Sequence, residues 1–182
     1  MPDHKGVSSS PAASRANPLL RNMAISLGVL LVPILAFVLI SQWLSGGPSA
    51  VDPSSAYESA RAAGRFPVLE PQGLPSGWTV TRADVQHGSG GSAILRIGYV
   101  SPTGGPARIV ESDVPVTSLL PDELGGVRPA QDSRSIGGRD WQLYPGRGKE
   151  RALVFQQPKM TVLVIGQMPD AELNALAASL HS

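Results

Sequence analysis

The stretch "TVLVIGQMPDAELNALAASL", residues 161–180, decides the fold class because its hydrophobic period changes halfway along. Val162 to Ile165 is continuously apolar, the pattern of a central strand covered on both faces. Past Pro169 and Asp170, Leu173, Leu176, Ala177 and Leu180 recur at i, i+3, i+4 and i+7, which is one face of a helix. Pro169 and Asp170 suit the start of that helix, and Glu172 suits the positive end of its dipole. The link between strand and helix is short, so the apolar helix face has to pack beside the strand that precedes it.

Upstream the pattern is mostly strand-like. "WTVTRADV" (78–85), "AILRIGYV" (93–100), "ARIVESDV" (107–114), "DWQLYPG" (140–146) and "RALVFQQ" (151–157) are short apolar runs bounded by Gly, Pro or Asp. Most connections are too short for helical crossovers, which favours an antiparallel meander with "PGRGK" as one hairpin tip. The expectation is an α+β domain, one antiparallel sheet with helices on a face, the C-terminal helix among them.

The N-terminal part is different in kind. Met23 to Leu44, "MAISLGVLLVPILAFVLISQWL", carries no charge, and at about 1.5 Å per residue it spans roughly 33 Å, enough to cross a hydrocarbon core of about 30 Å. Lys5, Arg15 and Arg21 precede it, opposed by Asp3, and no Lys or Arg follows before Arg61. The positive-inside rule therefore puts the N-terminus in the cytoplasm. A cleaved leader is disfavoured by the long apolar core and by Pro48 three residues before a cut after Ala50. Trp43 suits the outer interfacial belt, and Pro33 is tolerable in a membrane helix. The organisation expected is a cytoplasmic tail (1–22), a transmembrane helix (23–44), a linker (45–64) and an extracytoplasmic α+β domain (65–182). Ser55 and Glu58 stand at capping-box spacing before Ala-rich sequence and Gly64, so the linker is expected to hold a short juxtamembrane helix.

The ordered series "FPVLEPQGLPSGW", "LRIGYVSPTGG", "IGGRDWQLYPG" and "TVLVIGQMPDAELNALAASL", behind one N-terminal apolar helix, resembles the bacterial family called domain of unknown function 4245. The resemblance covers nearly the whole chain and implies a membrane-anchored envelope protein, with no particular activity. The last part, a G-x-x-W strand followed by two apolar strands and a helix, is also similar to the C-terminal domains of certain bacterial anti-sigma and sporulation-linked envelope proteins. That second likeness concerns the fold and carries no function.

"FPVLEPQGLPSGW" (66–78) reads as a structural brace. Pro67, Pro71 and Pro75 hold it extended, while Phe66, Leu74 and Trp78, with Val68 and Leu69, lay apolar area along the sheet. A partner's aromatic groove is the competing use, but the stretch lacks a P-x-x-P run with basic flanks. Arg134, Arg139, Arg147, Lys149 and Arg151 gather in one part of the chain as a weak anion patch, diluted by Asp132, Asp140 and Glu150. Nucleic acid is not supported by this charge balance.

Chemistry is sparse. The chain has no Cys, which removes disulfides, thiolate metal sites, cysteine nucleophiles and lipoprotein anchors. His87 with Asp84 and Ser89 has the residue types of a hydrolase, yet "QHGSGGSA" is a Gly/Ser-rich turn without a nucleophile elbow. Asp84 and His87 alone do not make a zinc site, and "GSGGS", "SPTGGP" and "ELGGVRP" lack the phosphate-loop spacing. No catalytic residue, cofactor or metal is expected. The favoured function is a non-enzymatic binding module at the envelope, held to the bilayer through Met23 to Leu44, with an envelope protein, lipid or cell-wall ligand as partner. A regulatory subunit of a membrane complex and, less favoured, a serine hydrolase are the alternatives.

Overall fold

The computed structural model describes residues 27, 29, 31–36, 50–126 and 128–182. The chain divides into two units, Met1–Gly46 and Gly47–Ser182. In the first, residues 27, 29 and 31–36 are helical and exposed. Among the described residues no helix is long and apolar enough to cross a membrane. The expected tail 1–22 and most of the expected span Met23 to Leu44 lie outside the described residues.

The second unit is an antiparallel α+β domain. Its elements are α1 (Ser54–Ala63), β1 (Glu70–Pro71), β2 (Thr79–His87), β3 (Ala93–Val100), β4 (Pro106–Ser112), α2 (Val116–Leu124), β5 (Asp132–Ile136), β6 (Arg139–Pro145), β7 (Arg151–Gln157), β8 (Met160–Gly166), α3 (Asp170–Ala178) and β9 (Leu180–His181). Seven strands form one sheet in the order β2-β3-β4-β8-β7-β6-β5. Two meanders thus meet at its middle, where β4 pairs with β8, Ile109 opposite Val164. Every residue of β8 is buried, as its unbroken apolar run requires of the central strand.

Strand parity assigns the faces. Leu95, Ile97, Ile109, Trp141, Leu153, Val162 and Val164 belong to one cluster, with Tyr57 of α1 and Leu173 and Leu176 of α3. Val110, Ala152, Val154, Leu163 and Ile165 belong to the other, with Leu119 and Leu124 of α2. Helices therefore lie on both faces of the sheet, which corrects the single helical layer expected. The element missed is α2, the crossover from β4 to β5. Pro115 and Pro121 disguise it, Pro121 standing inside the helix, where it supplies no N–H to the Thr117 carbonyl.

α1 begins at Ser54 without a side-chain cap on its own Pro53. Asp52 Oδ1 accepts from the Ser54 N–H at 3.0 Å instead, so Ser55 and Glu58 do not form the expected box. The helix ends at Gly64, φ 60°, and it buries Ala56, Tyr57 and Ala60 in the main core. β5 also lay outside the sequence pattern, since "DSRSI" is a polar edge strand. It joins β6 through Gly137 and Gly138, both at positive φ (60° and 73°), with Ile136 paired to Arg139, the two-residue turn that only such φ values close without splaying the strands.

Candidate functional site

From the end of α1 the strap of residues 64–71 runs over the first face to β1. Phe66, Val68 and Leu69 are buried on it, Pro67 is exposed, and Pro71 pairs with Leu180 of β9. The Gln72 N–H donates to the Ser179 carbonyl at 2.7 Å. The strap and the C-terminus are therefore tied to each other. Farther along, Leu74 and Trp78 are partly buried against the core, Pro75 is exposed, and Trp78 meets Tyr99 edge-on at 6.3 Å between ring centroids.

Beneath the strap lies Glu111 of β4, fully buried. Its Oε2 accepts the Leu69 N–H at 3.0 Å, and its Oε1 has no hydrogen-bond partner. Burial pushes its carboxyl up to about 8; the Leu69 N–H and Arg61 oppose the rise and Glu70 adds to it. Beside it the hydroxyls of Tyr57 and Tyr99 lie 3.3 Å apart. Burial raises both phenols, Tyr57 as well as Tyr99, the latter to about 12. Sequence reasoning passed over Glu111, although it shares strand parity with Ala107 and Ile109, which face the core.

A concavity of about 700 Å³ opens at the end of the sheet where β4 stops and β7 turns into β8, a volume usual for ligand clefts. Three segments wall it: Gly64–Arg65, Ser112–Thr117 leading into α2, and the hairpin Gln156–Thr161. Arg65 Nε donates to Asp113 Oδ2 at 2.8 Å, and Asp113 Oδ1 accepts the Ala93 N–H at 2.8 Å. The Ser112 hydroxyl donates to the Ala93 carbonyl and accepts from the Val114 N–H. These polar groups are fixed on backbone or on each other, while Lys159 on the hairpin is exposed. The lining suits recognition by hydrogen bonds and apolar contact.

A second groove, of about 470 Å³, lies on the other face. Glu123 of α2 takes two hydrogen bonds from Arg96, at 2.8 and 2.6 Å. Arg108 bonds Glu150 at 2.8 Å and the Glu123 carbonyl at 3.0 Å. This network fastens the end of α2 to the sheet.

Of the five residues of the expected anion patch, two meet at one carboxylate and the others have separate surroundings. Arg134 and Arg151 both pair with Asp170 at the start of α3. Arg139 donates to the Leu180 carbonyl at 2.6 Å and lies over the Phe155 ring, Arg147 donates to the Asp122 carbonyl, and Lys149 is exposed on the hairpin tip. His87 is exposed at the end of β2 and lines a small concavity with Ser55 and Ser59 of α1, where Ser59 donates to the Ser55 carbonyl. Asp84 is paired with Arg82 at 2.8 Å; the Ser89 side chain lies outside the described residues. Among the described residues, no three His, Asp or Glu side chains are grouped to hold a metal ion.

Among curated proteins, none matches the chain. Solved structures that are similar in part include two complexes. One is the crystal structure of MucB in complex with MucA(peri), 14% identical, covering 64% of this chain and 36% of that chain with a TM-score of 0.36. The other is the complex structure of Pseudomonas aeruginosa MucA/MucB, 14% identical, covering 63% and 34% with a TM-score of 0.34. The chain thus spans about a third of the length of those it matches. The family model described as "Protein of unknown function (DUF4245)" matches residues 15–180, nearly the whole chain from the N-terminal apolar run through β9, and the chain belongs to that family.

Proposed function

We propose that this is a single-pass envelope protein, anchored through Met23 to Leu44 with its N-terminus in the cytoplasm, whose extracytoplasmic domain binds a partner without catalysis. The anchor rests on the uncharged length of that run and on Lys5, Arg15 and Arg21 before it. The binding role rests on one observation, the position of the cleft. The chain joins the sheet at Val51, whose N–H donates to the Val80 carbonyl at 2.9 Å, at the end where Thr79 pairs with Val100. The cleft is at the opposite end of the sheet, beside Ser112 and Thr161. The Ser112 hydroxyl is held between the Ala93 carbonyl and the Val114 N–H and the Asp113 carboxylate between Arg65 and the Ala93 N–H, an arrangement that favours binding over hydrolysis.

Photo-crosslinking of the full chain in intact membranes tests this. A benzophenone side chain replacing Lys159, at the cleft, should yield a discrete adduct, and one replacing Lys149, on the hairpin at the other end of the sheet, should not. Equal yields from the two positions, or an adduct from Lys149 alone, would remove the cleft from the account.

A further inference from the structure

Glu111 is enclosed from every side. From α1 it faces Tyr57 and Arg61, from β1 Glu70, and from β3 Tyr99. Its cross-strand neighbours are Leu95 and Val162. None of these supplies a free positive charge: Arg61 is ion-paired with Glu70, and the two tyrosine hydroxyls face each other. One backbone N–H serves one oxygen and nothing serves the other. A neutral acid can stay in such a place, whereas a carboxylate needs water or a cation. Of the layers covering it, the strap has the least regular structure, because between Gly64 and Glu70 it belongs to no helix or ladder; apolar side chains, the Arg65–Asp113 and Arg61–Glu70 ion pairs and the short β1–β9 pair hold it in place.

We propose that Glu111 is a proton-gated latch on the strap: with its proton it lies sealed beneath residues 64–71, and on losing it the carboxylate gains water by lifting them. Gly64 and Arg65 are both strap and cleft wall, so the latch also sets how firmly the cleft is formed.

The direction of the effect follows from linkage. The carboxyl is raised from 4.5 to about 8 when the strap is closed and returns toward its ordinary value when the strap lifts. Closure is therefore fully favoured below the ordinary value, weakens as pH rises toward about 8, and changes no further above it.

Hydrogen exchange read by mass spectrometry on the full chain in detergent tests the latch, with rates corrected for the pH dependence of exchange chemistry. In the wild type, protection of peptides spanning residues 64–71 should fall about tenfold per pH unit between about pH 5 and 8. In Glu111→Gln, which keeps an acceptor for Leu69 and cannot ionise, the same peptides should show a flat profile. Equal slopes in both proteins, or a flat wild type because Arg61 turns from Glu70 to compensate the charge, would overturn the proposal. Should the variant fail to fold, the carboxyl carbon shift of Glu111 in the wild type decides the matter: its midpoint should lie above the ordinary carboxylate range and below the closed-strap value of about 8, with the Leu69 amide moving at the same midpoint, and a midpoint in the ordinary carboxylate range would overturn it.

Discussion

A chain ending at Pro169 is expected to lose its cooperative unfolding transition and to become molten or insoluble. The deletion removes α3 and β9, whose Leu173, Leu176, Ala177 and Leu180 are completely buried, and uncovers Val162 and Val164 of the central strand. Each leucine contributes roughly 1.5–3 kcal/mol by burial, and the three together approach the whole stability of a small domain, about 5–15 kcal/mol. The strap also loses Leu180 and His181, the partners of Pro71 and Glu70. Thermal unfolding followed by circular dichroism, with amide spectra of the second unit, checks this. Sharp, dispersed resonances and an unchanged Tm in the truncated chain would mean that α3 is no part of the fold.

Trp141→Ala should be the most damaging single truncation among the aromatics, costing about 3–5 kcal/mol. Trp141 is fully buried, lies 5.5 Å from the Phe155 ring between centroids, and donates its indole N–H to the Ile136 carbonyl at 3.3 Å. It thereby joins β6, β7 and the β5–β6 turn in one contact. Trp78→Ala should cost distinctly less, because Trp78 is only partly buried and its edge contact with Tyr99 is at the rim of the core. Urea titrations of the two variants give the order, which rests on burial; the reverse order would show that the strap and the segment after it, not the β5–β7 sheet, limit stability.

How much of this was legible in the sequence depends on what each element had to bury. β8 and α3 were plain, since one is apolar throughout and the other changes period at Pro169. The apolar run of β8 also required cover on its second face, yet the covering helix α2 went unread because Pro115 and Pro121 suggest turns. β5 and the β1–β9 pair had no hydrophobic pattern to offer: "DSRSI" is a polar edge, and "EP" and "LH" are ladders of two residues. In the strand of Glu111, parity set that residue with Ile109 on the covered face, but a lone glutamate in a strand reads as solvent-facing. The cleft was beyond sequence reasoning for another reason. Its walls come from residues 64–65, 112–117 and 156–161: the pairing of β4 with β8 sets Ser112 beside Thr161, and the Arg65–Asp113 ion pair brings in the first segment.

The most direct test of the account uses the absence of cysteine from the chain, which makes any introduced thiol unique. Lys159→Cys places one beside the cleft, and Ser8→Cys places one ahead of the apolar run. Intact cells are treated with a membrane-impermeant maleimide, and parallel samples are permeabilised first. An envelope domain predicts that the thiol at 159 reacts without permeabilisation and that the thiol at 8 reacts only after it. Reaction of 8 in intact cells, or of 159 only after permeabilisation, would contradict an extracytoplasmic cleft.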